Sequence, residues 1–281
     1  MSEPVERRIP LAYLPLAALT WGDANRPPLL ALHGWLDNAA SFARLAPLLA
    51  AGRHVIALDL PGHGHSAHLP PGASYAMAGY VRHVLDAVDA LALSRFELLG
   101  HSLGAGIASL VAAAAPSRVE RLWLIEGLGP LADDGTQTLQ RFRDAVATPP
   151  ANGKSLRRFR DIEQAASARA IASGLRADLA RPIIERGLRH TADGWHWRSD
   201  PRLMRPTAVR LAEPQIRALL AGIAAPTSLL LARPTTPYLP DAQMHERAAC
   251  VPRIALTHMD GGHHLQLEHP QAVAQWMRAA S

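Results

Sequence analysis

Cysteine occurs once in these 281 residues, as Cys250, which excludes an internal disulfide and any cysteine-based zinc site. Lysine also occurs once, as Lys154, so the formal charge of +5 is carried by arginine. The arginines are scattered apart from Arg157, Arg158 and Arg160, and no basic stripe interleaved with aromatics is present. Nucleic acid is therefore not an expected partner, and the small cluster reads as the solvated face of a helix. No uncharged apolar run approaches the roughly 18 residues that would span a membrane. The opening stretch MSEPVERRIP has no apolar signal core. The expectation is a soluble, cytoplasmic protein with no membrane partner.

What is abundant is apolar sequence, 48 % of the chain, enough for one large α/β domain or a domain with an insertion. Short apolar runs at 28–32, 54–58, 96–99, 119–125, 227–232 and 254–259 read as buried strands. Between them, 39–51, 75–93, 103–115, 241–249 and 270–280 read as helices; Val81, Val84, Leu85, Val88 and Leu91 keep a 3.6-residue rhythm. Strands alternating with helices predict a mostly parallel sheet covered on both faces. From 130 to 222 the texture changes. Charged helical stretches at 138–146, 156–172 and 178–187 are broken at Pro149-Pro150-Ala151-Asn152-Gly153 and Thr191-Ala192-Asp193-Gly194, and none of this reads as a buried strand. A helical insertion over one end of the sheet is expected.

Gly100-His101-Ser102-Leu103-Gly104 lies between a strand and a small-residue helix. A serine in so sharp a turn presents its hydroxyl outward, and the N–H of the next residue faces a reacting carbonyl. The flanking glycines are needed because a Cβ there would meet the adjacent strand and helix. Ser102 is the candidate nucleophile. Three further signposts follow the order of a known family: His33-Gly34-Trp35 after an early strand, Asp59-Leu60-Pro61-Gly62-His63-Gly64-His65-Ser66, and Gly261-Gly262-His263-His264 running on to Pro270 before the last helix.

With these motifs the chain resembles the α/β-hydrolase superfamily along nearly its whole length, in the serine hydrolase branch that holds the kraken-like and serine-hydrolase-like proteins. The resemblance implies a doubly wound α/β-hydrolase sheet, residues 1–129 and 223–281 forming the core and 130–222 a helical cap. It assigns the oxyanion hole to the backbone N–H groups of Trp35 and Leu103. Such donors hold the charge that develops on the carbonyl oxygen.

A serine hydroxyl needs an adjacent base, and an imidazole suits. His263 follows a Gly-Gly turn at the end of a late strand and is the candidate among fourteen histidines; His264 is read as its packing neighbour. The family's usual late-strand acid is missing, because that place reads Arg233-Pro234-Thr235-Thr236-Pro237. Glu126 ends the strand 119–125, where some relatives carry their acid, and would orient the imidazole. Asp241 and Asp260 stand as alternatives, with Asp241 read chiefly as capping its own helix; Asp59 is read as stabilising its own turn. His63, His65 and His68 have an H-x-H-x-x-H spacing, but they also fit the Pro-Gly turn, and neither a metal nor a cofactor is expected. Trp35 and the Trp195-His196-Trp197 run are read as pocket wall or as packing. The expected activity is cleavage of a small-molecule carboxylic ester by acyl transfer, with thioester or C–C bond hydrolysis, or a small-molecule receptor on the same scaffold, as alternatives. The substrate and the oligomeric state are not legible.

Overall fold

A computed structural model describes residues 3–147 and 158–279. Eight strands form the central sheet: β1 (Val5–Ile9), β2 (Leu16–Trp21), β3 (Pro28–Leu32), β4 (His54–Asp59), β5 (Phe96–His101), β6 (Val119–Ile125) and, much later, β10 (Thr227–Arg233) and β11 (Ile254–Asp260). Between β6 and β10, three short strands, β7 (Arg158–Phe159), β8 (Leu188–Thr191) and β9 (Gly194–Trp197), form a separate antiparallel sheet. The central order is β1-β2-β4-β3-β5-β6-β10-β11, and every pairing from β4 to β11 is parallel. This is the mostly parallel α/β-hydrolase sheet.

The inner strands, β2 to β6 and β10, are short, mostly apolar and buried on both faces, as a sheet covered by helices demands. Alternate residues supply two cores. Leu30, Leu32, Leu98, Leu122, Leu124 and Leu229 pack with the helices Met77–Ala90 and Leu103–Ala114. Leu29, Ala31, Leu99, Trp123 and Leu230 pack on the other face with Phe42, Leu45 and the helix Pro270–Ala279. Trp123, fully buried, donates its indole N–H to Glu97 Oε2 at 2.7 Å.

Several expectations are corrected. The run 39–51 is not one helix but a 3-10 turn, Ala39–Phe42, and a single α-turn, Ala46–Leu49. Pro47 lacks the N–H that a continuous helix would need there. The N-terminal strands β1 and β2 are not among the expected ones; in β1, Glu6, Arg7 and Arg8 hide the period, and charge on an edge strand also discourages pairing with another chain. The 130–222 segment is not purely helical. Thr191 and Gly194 close a hairpin between strands of four residues, too short to show an alternation. Its helices Thr138–Ala147, Ile162–Ser173 and Ala177–Gly187 overlap the expected ones, whereas the break at 149–153 and the start of the 156–172 run lie outside the described residues. Arg158 and Arg160 are exposed as expected, but they lie on β7 and just after it rather than on a helix. Trp195 and Trp197 pack on a small core of Phe159, Ile183, Ile184, Leu188 and, from the far end of the chain, Leu267. Among the described residues no helix is long and apolar enough to cross a membrane.

Charge ties this segment to the sheet. The Asp59 carboxylate, fully buried at the end of β4, accepts the N–H of Ala39 at 2.7 Å and of His65 at 2.8 Å, which holds its own turn as expected. It also pairs with Arg186 of the helix Ala177–Gly187 at 2.7 Å. Removing one partner of a buried pair leaves the other charge uncompensated. Arg186→Ala is therefore expected to lower stability by about 3–5 kcal/mol, read from urea midpoints; a loss below about 1 kcal/mol would mean the pair is solvated like a surface bridge.

Candidate active site

Parallel pairing lines up the carboxyl ends of β3, β5, β6, β10 and β11, and the candidate residues sit on them. Just past each end the hydrogen-bond ladder continues: Ser102 N donates to Ile125 O at 3.0 Å, Glu126 N to Leu230 O at 2.9 Å, and Gly261 N to Arg233 O at 3.0 Å. Glu126 and His263, 137 positions apart in sequence, are thereby brought to the edge that also carries Ser102.

Ser102 joins β5 to its helix with φ 53° and ψ −116°, a left-handed φ that costs a residue with a Cβ energy. The neighbours explain why glycine stands two positions to either side of it. A Cβ on Gly104 would lie 2.0 Å from Leu32 O, and one on Gly100 2.5 Å from Gly104 O. The N–H of Leu103 opens the helix Leu103–Ala114 and belongs to the turn whose donors have no intrahelical acceptor. Trp35 follows β3; its indole N–H donates to Leu203 O at 3.2 Å, so the ring spans the gap to the 130–222 segment. His33 fastens the same loop. Its Nε2 accepts the N–H of Leu60 at 3.0 Å and its Nδ1 donates to Gly34 O at 2.8 Å, which requires a neutral ring. Burial depresses its basicity in the same sense.

Glu126 also adopts a left-handed φ, 55°, and turns its buried carboxylate toward β11. Oε1 accepts the N–H of Ala232 at 2.6 Å, while Oε2 accepts His263 Nδ1–H at 2.9 Å and the hydroxyl of Thr236. Burial alone would raise its pKa; the hydrogen bonds from His263, Thr236 and Ala232 outweigh this and hold it below the usual carboxylate range. The structure thus brings Glu126 and His263 together. It does not bring Asp241 to them: Asp241 pairs with His258 at 2.8 Å and His245 at 3.4 Å. Nor does Asp241 cap its helix through its side chain. Pro240 is the N-cap, and Asp241 stands inside the first turn, where its charge favours the helix dipole. Asp260 is the last residue of β11, in register with Arg233.

Two residues of the strap after β10 carry no signal in the sequence. Thr236 buttresses Glu126 from the place where the family's usual acid would stand. Tyr238 reaches over the site, its hydroxyl 3.0 Å from His263 Nε2. Burial, with the charge of Glu126, raises the pKa of the phenol, so it stays protonated.

Beneath lies a second buried network. His101, between Gly100 and Ser102, donates Nε2–H to His263 O at 2.8 Å, and its Nδ1 faces Asp37 Oδ2 at 3.8 Å. His264 Nε2 is 3.4 Å from the same oxygen, and Arg169 of the helix Ile162–Ser173 pairs with Oδ1. His264 thus packs beside His263, as expected, and additionally reaches Asp37. Burial holds His101 well below the ordinary imidazole pKa, helped by the two neighbouring rings. Asp37 is held far below the carboxylate range: burial pushes it up, but His264, Arg169 and His101 prevail.

Two groups among the described residues have ligand atoms close enough to hold a metal ion: Asp37, His101 and His264, and Asp241, His245 and His258. In the first, Arg169 already balances the carboxylate. The H-x-H-x-x-H histidines face separate partners: His63 Nδ1 bonds Pro61 O, His65 lies by Glu6, and His68 bonds Arg198 O.

Residues 27–165 match the family model for the alpha/beta hydrolase fold. The chain is 30 % identical over 279 residues to a serine hydrolase-like protein of Danio rerio, covering 96 % of this chain and 86 % of that one. It therefore belongs to the α/β-hydrolase superfamily, in the serine hydrolase-like branch. Among solved structures it is similar to the hypothetical protein PA1622 from Pseudomonas aeruginosa PAO1, with 39 % identity, 98 % of both chains covered and a TM-score of 0.90. The thioesterase domain from the curacin biosynthetic pathway shares the fold at 23 % identity, covering 99 % of this chain and all of that one with a TM-score of 0.86.

Glu126 and Asp37 ionise more readily folded than unfolded, where carboxyls titrate near pH 4. Their stabilisation is therefore full above about pH 4 and is lost as pH falls through the lowered folded values. The thermal midpoint should drop steeply below about pH 4, and Asp37→Asn should flatten that drop. An acid slope unchanged by the substitution would mean that Asp37 is not held ionised.

Proposed function

We propose that the protein is a serine hydrolase that cleaves a small carboxylic ester by acyl transfer. Ser102 attacks the carbonyl, His263 takes its proton and returns it to the leaving alcohol, and Glu126 holds the imidazole in the tautomer with hydrogen on Nδ1. The N–H groups of Trp35 and Leu103 receive the developing oxyanion. Water, activated by the same histidine, then releases the acid. We take residues 1–129 and 223–281 as the hydrolase core, 130–222 as a cap that shapes the acyl or alcohol pocket, and the cytoplasm as the place of action.

The observation that carries this reading is the contact of the buried Glu126 carboxylate with His263 Nδ1 at 2.9 Å, on a ring whose other nitrogen meets the Tyr238 hydroxyl at 3.0 Å. An imidazole with its charge partner on one nitrogen and a hydroxyl on the other is arranged for proton transfer at Nε2. Membership of the serine hydrolase-like branch supports it. The nucleophile position is a serine, which sets it apart from hydrolases that attack with a carboxylate.

Ser102→Ala is expected to abolish turnover of short-chain aryl esters and covalent labelling by a fluorophosphonate. Glu126→Gln keeps the shape but not the charge and should reduce kcat by roughly 10³- to 10⁴-fold. Mass spectrometry of the labelled peptide and steady-state kinetics check both. Labelling that persists in Ser102→Ala would remove the serine from the mechanism, and a near-normal kcat in Glu126→Gln would remove the glutamate.

A further inference from the structure

Tyr238 stands against the machinery just described without a step in it, and no sequence pattern places it there. Its hydroxyl is 3.0 Å from His263 Nε2, and its ring meets the imidazole edge-on at 5.5 Å between centroids. Ser102 lies close enough for its hydroxyl to act against the upward shift of the phenol's pKa. Hydrogen directions follow from the fixed end of the chain. Glu126 can only accept, so Nδ1 carries the hydrogen; in the neutral ring Nε2 then accepts, and the phenol must donate to it.

The position matters because of what must occupy it during acyl transfer. When Ser102 Oγ bonds to the carbonyl carbon, its proton passes to His263 Nε2. The bond from that carbon to the leaving oxygen then breaks, and the proton passes from Nε2 to that oxygen. The leaving oxygen therefore has to lie on a carbon bonded to Oγ and within hydrogen-bond reach of Nε2. In the second half-reaction the attacking water needs the same place. The Tyr238 oxygen fills it now, as a hydroxyl 3.0 Å from Nε2.

We propose that Tyr238 is the leaving-group gate of the active site: its phenol occupies the leaving-oxygen position at rest, and the alcohol portion of the substrate enters by displacing it. This rests on the serine hydrolase reading given above. The side chain is suited to the movement. It is 52 % exposed, and it rides on a turn closed by Leu239 N to Thr236 O at 2.9 Å, between Pro237 and Pro240. Thr236 stays with Glu126 beneath, so the phenol can swing without disturbing the acid. Once turned out, its ring lines the leaving-group side, which makes Tyr238 a specificity-determining residue for the alcohol rather than for the acyl part. An aryl alcohol takes over the place of the ring as well as that of the oxygen, so phenyl esters compete with the gate better than alkyl esters of the same acid.

The test uses the full chain with Tyr238→Phe and Tyr238→Ala, and Ser102→Ala as the blank. The second-order rate of fluorophosphonate labelling reads access to Ser102 without requiring the natural substrate. Phenyl acetate and ethyl acetate read the leaving group. Loss of the resting hydrogen bond to His263 should raise the labelling rate by about three- to tenfold in both variants. KM for phenyl acetate should fall with kcat little changed, and the preference for phenyl over ethyl acetate should narrow. A labelling rate and kcat that both drop tenfold or more in Tyr238→Phe would make the phenol a proton relay and overturn the gate. Rates equal to those of the parent for every reagent would make it a bystander. Labelling absent from the parent and both variants would overturn the serine mechanism itself, and the gate with it.

Discussion

Everything at the site depends on the parallel hydrogen-bond ladder running from β3 through β5, β6 and β10 to β11. Parallel strands end on the same side, so the residues that follow them emerge side by side. The ladder does not stop where the strands do. The N–H groups of Ser102, Glu126 and Gly261 each bond to a carbonyl of the neighbouring strand, and this fixes where the backbone turns away. The left-handed φ at Ser102 and Glu126 is the cost of turning so abruptly at those points, and the surrounding sheet holds both residues in it. Side chains drawn from three distant parts of the chain need no flexible loop to find one another.

The second constraint is buried charge. Asp37, Asp59 and Glu126 are all removed from water near the strand ends, and each is compensated by a partner from another part of the chain. Glu126 has His263, Thr236 and the Ala232 N–H; Asp59 has Arg186; Asp37 has Arg169, His264 and His101. Two of these partners, Arg169 and Arg186, come from the segment between β6 and β10. The segment is therefore fastened to the loops after β3 and β4 by ion pairs whose separation would expose an unpaired buried carboxylate. His101 links the same network to the backbone of His263. The packing of the inserted segment and the seat of the imidazole thus share one set of buried groups.

Most of the sheet was legible because its strands are apolar runs bounded by Gly, Pro or Asp, and its helices keep a 3.6-residue rhythm. The exceptions have local causes. β1 is charged, β8 and β9 are four residues long, and Pro47 divides a stretch whose apolar pattern alone suggests one helix. At the site, Ser102, Glu126 and His263 were legible as candidates because turn glycines or a strand end mark each of them. Thr236 and Tyr238 carried no such mark. A threonine and a tyrosine in a proline-rich strap have no period, and their importance comes from what lies across from them. Asp37 and Arg169 were silent for the same reason: 132 residues separate them, and nothing in either neighbourhood names the other.

By itself the sequence determined the fold class, the superfamily and a serine held in a strand–turn–helix elbow, since these follow from short-range patterning and from the steric demand for glycine on either side. Only the tertiary structure decided which carboxylate meets His263, which residue faces its other nitrogen, and which arginines neutralise the buried acids. Those choices depend on distances of a few ångströms between strand ends. Such distances are set by the register of a sheet whose neighbouring strands are far apart in the chain.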